Sequence, residues 1–180
     1  MTISITTDRF TYEAPPTVTA VSPAAGLPTG GTSVTITGTN FTGASAVMFG
    51  STAATSYTTV SSTSVSATSP AEAAGTVDVR VTTPIGTSAP SPADHFVYEL
   101  APTITAISPV SGPTAGGTPV TITGTGFSGA TGASFGSSAA TNYTVVSATS
   151  VTATSPAEPA STVNVSVTTP IGTNPSTSAD

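Results

Sequence analysis

The sequence holds one histidine, His95, and so one side chain whose ordinary titration range suits proton transfer near neutral pH. The carboxylates available to work with it are Asp8, Glu13, Glu72, Asp78, Asp94, Glu99, Glu158 and Asp180, and most fall singly in turns or at the joints between repeats. Cysteine and lysine are absent, and the only cations are Arg9 and Arg80. Thiolate nucleophiles, Schiff-base lysines, cysteine-ligated metals and disulfide staples are thereby excluded. A hydrolytic triad would have to be built on His95, which borders a predicted strand and has Arg9 in its place in a matching N-terminal segment. A surface position suits His95 better than the role of general base. Asp94 and Glu99 stand near a predicted interdomain joint, but two carboxylates are too few for a calcium ion, which takes about six to eight oxygens. No catalytic residue, cofactor or metal site is expected, and the chain reads as a non-enzyme.

What positions these residues is a repeat. Pro16-Thr17-Val18-Thr19-Ala20-Val21-Ser22-Pro23 returns 86 residues later as Pro102-Thr103-Ile104-Thr105-Ala106-Ile107-Ser108-Pro109, and Val81-Thr82-Thr83-Pro84-Ile85-Gly86-Thr87 returns as Val167-Thr168-Thr169-Pro170-Ile171-Gly172-Thr173. Of the 79 aligned pairs from Pro16/Pro102 to Asp94/Asp180, 51 are identical and none needs a gap. The same shift maps Asp8-Arg9-Phe10-Thr11-Tyr12-Glu13 onto Asp94-His95-Phe96-Val97-Tyr98-Glu99. The sequence thus opens on a segment that elsewhere closes a repeat, and it stops at Asp180, on the first residue of what would be a third appearance.

A period of 86 in 180 residues implies two small domains, each with one modest core. Charged residues are 6% of the chain and the net charge is -6 without a basic patch, so a nucleic-acid partner is not expected. Disorder needs low hydrophobicity with high charge, whereas the mean hydropathy here is +0.26; the chain reads as folded and kept in water by Ser, Thr and Gly. No run approaches the roughly 20 apolar residues of a membrane span, so no membrane insertion is expected. The N-terminus lacks the apolar stretch of a signal peptide. Either the protein assembles from the cytoplasm, as phage parts do, or a leader was removed.

The secondary structure reads as all β. Thr32 to Thr39 and Thr76 to Val81 alternate apolar with polar residues, the period of half-buried strands. Further strands are predicted at Val18 to Val21, Ala46 to Phe49, Tyr57 to Val60, Ser64 to Ala67 and Phe96 to Tyr98, bounded by Gly and Pro. The alternation predicts a core of Val34, Ile36, Phe49, Val77, Val79 and Val81, with Val120, Ile122, Phe135, Val163, Val165 and Val167 in the second copy. About seven short strands in some 85 residues indicate a β-sandwich.

The run Pro16 to Pro23, then Gly26, Gly30-Gly31-Thr32, Val34-Thr35-Ile36-Thr37-Gly38-Thr39-Asn40-Phe41 and Val47-Met48-Phe49-Gly50, resembles the IPT/TIG domain. The second copy carries the same marks in Gly112, Gly116-Gly117-Thr118, Val120 to Phe127 and Phe135-Gly136. The resemblance covers nearly the whole chain from Pro16 and implies an immunoglobulin-like sandwich, a fold used as spacer, adhesive and interaction module in surface proteins and in some transcription factors. Members that touch DNA need basic loops, which this chain lacks. Residue by residue, Gly38 is expected to give a tight bend after which Phe41 turns into the core. Phe49-Gly50 and Phe135-Gly136 set a ring inside before a residue that tolerates positive φ. Sugar binding by stacking would favour exposed aromatics, yet tryptophan is absent and Phe10, Phe41, Phe49, Phe96, Phe127 and Phe135 fall at core positions. Sequons at Asn40, Asn142 and Asn164 carry meaning only in a host that glycosylates.

The expected division is therefore an N-terminal strand over 1–14 like the last strand of a preceding repeat, a first sandwich over 15–100, and a second over 101–180 lacking its last strand. The second sandwich is expected to expose an apolar groove flanked by unpaired backbone. Phe10 and Tyr12 supply the missing pattern, but only Glu13, Ala14 and Pro15 separate them from the first domain, too short a tether to reach back across it. Two readings stay open. One is donor-strand complementation, with Phe10 and Tyr12 of one chain completing the second domain of the next, head to tail. The other is a two-repeat piece of a longer array. Both give an extended, extracellular, cell-surface or virion module whose partners are other copies or adjacent repeats; the alternative from a different class is an adhesin or carbohydrate-binding accessory module.

Overall fold

Valine, isoleucine and alanine alternate with threonine and serine along most of the chain, and the backbone follows that period of two. A computed structural model of the protein describes residues 11–176. The chain divides into two compact units, Met1–Tyr98 and Glu99–Asp180. In unit 1 the strands are β1 (Thr17–Ser22), β2 (Ala25–Gly26), β3 (Ser33–Thr39), β4 (Ala46–Phe49), β5 (Thr52–Ala53), β6 (Ser56–Ser61), β7 (Ser64–Thr68), β8 (Gly75–Thr83), β9 (Gly86–Thr87) and β10 (His95–Tyr98). One sheet runs β1-β3-β7-β6, all antiparallel. The other runs β2-β10-β8-β4-β5 with β9 turned back on β8, and its one parallel pairing joins β10 to β2.

Unit 2 repeats most of this plan. Its strands are β11 (Thr103–Ser108), β12 (Pro119–Thr125), β13 (Gly132–Phe135), β14 (Ser138–Ala139), β15 (Asn142–Ser147), β16 (Ser150–Thr154), β17 (Val165–Thr169) and β18 (Gly172–Thr173). They form the sheets β11-β12-β16-β15 and β14-β13-β17-β18. The seven strands expected in the first repeat are all present, with ends displaced by no more than two residues. No helix among the described residues is long and apolar enough to cross a membrane.

Each unit has one core. In β3 the inward positions are Val34, Ile36 and Gly38, and in β12 they are Val120, Ile122 and Gly124. Across from them lie Val47 and Phe49 of β4 with Val79 and Val81 of β8, all in one buried cluster. Each such side chain contributes roughly 1.5–3 kcal/mol by leaving water. The outer faces stay polar almost without charge, because threonine hydroxyls bridge neighbouring strands: Thr17 with Thr39 at 2.8 Å and Thr82 with Thr87 at 2.9 Å, repeated as Thr103 with Thr125 and Thr168 with Thr173.

Three details depart from the sequence reading. Gly38 does not make the bend; it lies within β3 opposite Val18, and a Cβ there would strike the Thr17 carbonyl and come 2.5 Å from Phe41 Cζ. Glycine is needed for close approach, and the bend falls at Asn40 (φ 59°), or at Gly126 (φ 73°) in unit 2. Val77 and Val163 are half-buried, because each packs beside a glycine, Gly50 or Gly136, that has no side chain to cover it. The remaining predicted core residues are buried, as are Phe41, Phe96 and Phe127, while Phe10 lies outside the described residues.

Phe49 is fully buried and meets another ring edge-on, whereas Phe135 keeps 8% of its surface exposed. Phe49→Ala is expected to cost about 3–5 kcal/mol and Phe135→Ala distinctly less. Hydrogen exchange under denaturant, read separately for each unit, measures both; equal losses would show that the two rings are equally packed.

Candidate functional site

The closing strand of unit 1 starts from a single 3-10 turn, Pro92–Asp94, with proline at its first position. Asp94 ties that turn, its Oδ2 accepting the Ser91 N–H at 3.0 Å. The chain then enters β10, which lies antiparallel to the first residues of β8, His95 against Asp78 through Tyr98 against Gly75, and parallel to β2. Alternation turns Phe96 and Tyr98 inward, 0% and 1% exposed. The Phe96 ring meets Phe49 edge-on at 5.3 Å and Tyr98 at 5.0 Å. At the far end the Tyr98 hydroxyl donates to the Pro70 carbonyl at 3.0 Å. Burial, and then the nearby charge of Glu72, push the Tyr98 phenol above its usual range against the pull of a Ser69 hydrogen bond, so it stays a neutral donor. Gly26 in β2 is needed first for Thr32, whose Oγ1 a Cβ there would strike, and then for the strand, since that Cβ would lie 2.9 Å from Phe96 Cζ.

In unit 2 the described residues place no strand at this position. β17 begins at Val165, so residues 161–164, which match the first four residues of β8, belong to no strand, and neither do Ser111 and Gly112, which match β2. Between them opens a cavity of about 290 Å³ whose apolar wall includes Ile107, Val110, Phe135, Val163 and Val165. The Pro156, Ser155 and Glu158 that match the surroundings of the Tyr98 hydroxyl also line it. Of the two residues singled out as a donor strand, Phe10 lies outside the described residues and Tyr12 is 91% exposed.

The titratable groups gather once among the described residues, at the start of β10. Asp78, Asp94 and His95 each offer one ligand atom within 4.8 Å of the others, and His95 Nε2 stands 3.5 Å from Asp78 Oδ1. Asp94 is fully buried and its Oδ1 has no hydrogen-bond partner. Desolvation holds its carboxyl above the ordinary aspartate value; the Ser91 N–H opposes this, the Asp78 charge adds to it, and His95 and Arg80 oppose it. Two carboxylates and an imidazole with an arginine charge beside them resemble a local charge balance more than a hydrolytic centre. His95 itself sits on the surface, with about half of its side chain in water. The sequence reading paired Asp94 with Glu99 and missed Asp78, because the partner of His95 is set by cross-strand register rather than by spacing.

Two sheets closing on one core of alternating residues, built twice in succession, define a pair of immunoglobulin-like sandwiches. The family model described as the IPT/TIG domain matches residues 16–98 and again 102–179, and the chain belongs to that family. No match is found among curated proteins. Among solved structures, the plexin A4 extracellular region is 23% identical with a TM-score of 0.53, over 91% of this chain and 18% of that one. SGBP-B from a complex xyloglucan utilization locus of Bacteroides uniformis is 25% identical with a TM-score of 0.41, over 90% of this chain and 48% of its own. The surface glycan-binding protein PbSGBP-B from Prevotella bryantii is 20% identical with a TM-score of 0.40, over 90% and 41%. The chain thus spans less than half the length of each of these, and the likeness is one of fold.

Because the Asp94 carboxyl titrates above its unfolded value, its charged form weighs against folding at neutral pH. Unit 1 is expected to gain stability as the pH falls through that raised value toward the ordinary one of 3.8. Denaturation curves between neutral pH and that value, with NMR titration of the carboxyl, measure the effect, and Asp94→Asn should flatten the slope. A slope of opposite sign would show that the carboxylate is stabilised by its neighbours.

Proposed function

We propose that the chain is a non-enzymatic structural module that holds its two sandwiches in an extended rod, joined head to tail with further repeats or copies, in a surface stalk, filament or phage virion component outside the cell. The observation that carries this reading is the near-identity of the repeats, 51 of 79 aligned positions. A recognition tip differs from its spacer, whereas these two units share outward-facing residues as well as core ones: Thr35, Thr37 and Thr39 on β3 recur as Thr121, Thr123 and Thr125 on β12. Uncharged hydroxyl faces suit a surface that spaces rather than binds. The joint Glu99-Leu100-Ala101-Pro102 is short, and its proline fixes one φ near -65°. Extracellular or surface placement is supported by the relatives in fold, a plexin extracellular region and surface glycan-binding proteins.

A reading as a carbohydrate-binding accessory module or adhesin has one observation in its favour. Tyr57 on β6 and Tyr143 on β15 occupy matching positions with over a third of their surface in water, where a sugar ring can stack. Small-angle scattering should show an elongated pair of domains, and a glycan array should show no binding. A collapsed or broadly bent pair would overturn the spacer reading; glycan binding lost in Tyr57→Ala or Tyr143→Ala would replace it with the second.

A further inference from the structure

Side chains from three places meet where the closing strand of unit 1 begins. Asp78 comes from β8, His95 from the first residue of β10 directly across from it in the register, and Asp94 from the 3-10 turn that leads into β10. One ligand atom of each lies within 4.8 Å of the others. Asp78 and His95 reach solvent, with 38% and 48% of their side chains exposed, whereas Asp94 is fully buried. The two oxygens of Asp94 are unequal. Oδ2 accepts the Ser91 N–H at 3.0 Å, and Oδ1 has no hydrogen-bond partner. The Ser91 hydroxyl of the same turn is also buried without a partner. A bare carboxylate oxygen inside a protein is costly, and a bound cation offsets that cost.

We propose that Asp78, Asp94 and His95 bind one zinc ion, or a divalent ion of the same borderline class, which clips the closing strand to β8. An imidazole nitrogen with two carboxylate oxygens is a mixed donor set that such ions accept, and three protein ligands leave a fourth position to water. Ligands about 2.0–2.2 Å from a tetrahedral ion stand roughly 3.3–3.6 Å apart. His95 Nε2 and Asp78 Oδ1 already stand at 3.5 Å, so the Asp94 oxygen has up to about 1.5 Å to close. Calcium fits poorly, because it takes about six to eight oxygens and no imidazole. With His95 neutral, as a ligand must be, Asp78 and Asp94 outweigh the single charge of Arg80, whose Nε is held by the Ser88 carbonyl at 2.9 Å, so the site is anionic before an ion enters. In the metal-free chain His95 and Arg80 alone supply positive charge beside Asp94. Unit 2 has an amide, Asn164, where unit 1 has Asp78, so the site belongs to unit 1. Its ligands lie on neighbouring strands, and a bound ion therefore holds β10 against β8 at the point where β10 begins. The site is independent of the rod reading, and either can fail without the other.

Calorimetric titration of the full chain with zinc chloride near neutral pH should show one ion bound per chain. His95 is the only histidine, so its imidazole NMR signals report the site directly and should shift with zinc. With free zinc at about ten times its dissociation constant, hydrogen exchange at 95–98 should slow about tenfold, while 165–169 of unit 2 stays unchanged. Asp78→Asn, which installs the amide of unit 2, and His95→Gln are surface changes, and each should weaken zinc binding by at least about tenfold. Asp94→Asn should do the same, with the metal-free exchange pattern of the unit 1 core as the measure of folding. Absence of binding heat with unmoved His95 signals would overturn the proposal. So would zinc binding that survives Asp78→Asn combined with His95→Gln, or binding unchanged in Asp94→Asn, which would leave only a surface pair. Calcium chloride binding as tightly as zinc chloride would overturn the assignment of the ion.

Discussion

Closure of these sandwiches depends on one insertion, an aromatic pair laid between two strands of the same sheet. Phe96 and Tyr98 are enclosed, and several features of unit 1 surround them: the two-residue strand β2, the first half of β8, the glycine at 26 and the Pro70 carbonyl that accepts the Tyr98 hydroxyl. The insertion contributes in two ways. Two rings leave water, and at the same time four backbone positions of β8 gain partners that they otherwise lack. Unit 2 displays the same surroundings with the insertion absent from the described residues, and there the matching half-strand is not formed. Side-chain burial and backbone pairing are therefore coupled at this edge; residues 161–164 have a sequence suited to a strand, but the ladder forms only where a neighbour is present.

The alternation of Val34, Ile36, Val79 and Val81 made the sandwich legible, because a period of two in a bounded run has few other solutions. The aromatic marks were legible too, down to the positive φ that follows Phe49 and Phe135. What sequence reasoning did not reach were contacts created by register and by the third dimension. Nothing in the spacing of Asp78 and His95, 17 positions apart, announces that they pair across strands. The role of Gly38 was hidden for the same reason: a glycine before Thr-Asn-Phe looks like a bend, but its cause is the Thr17 carbonyl pressed against it from another strand. Val77 and Val163 obey the alternation yet stay half-buried, because burial depends on what covers a residue from outside its own strand.

Comparing the two units separates what the module needs from what unit 1 alone has acquired. The charged group around Asp94 is particular to unit 1, since the residues matching Asp78 and Arg80 are Asn164 and Ser166. A buried aspartate with an unpartnered oxygen needs nearby positive charge, and His95 and Arg80 supply it. The surroundings of the closing strand, by contrast, recur in unit 2 at Gly112, Phe135, Ser155, Pro156 and Glu158. These surroundings therefore belong to the repeat, while the charge cluster, found once among the described residues, is a local feature of unit 1.

The offset between the repeat frame and the folding frame has a mechanical consequence. β10 ends at Tyr98 and β11 begins at Thr103, so the strand that completes one sandwich is followed within four residues by the strand that opens the next. Tension along the chain is then applied directly to the closing strand, where ladder hydrogen bonds on both sides and two interlocked rings resist it together. In a tether attached by an exposed loop, the linker would extend before any core was disturbed. Here the joint begins directly after Tyr98, a core residue, so loss of the closing strand opens the core of unit 1 and frees the chain leading into the joint at once.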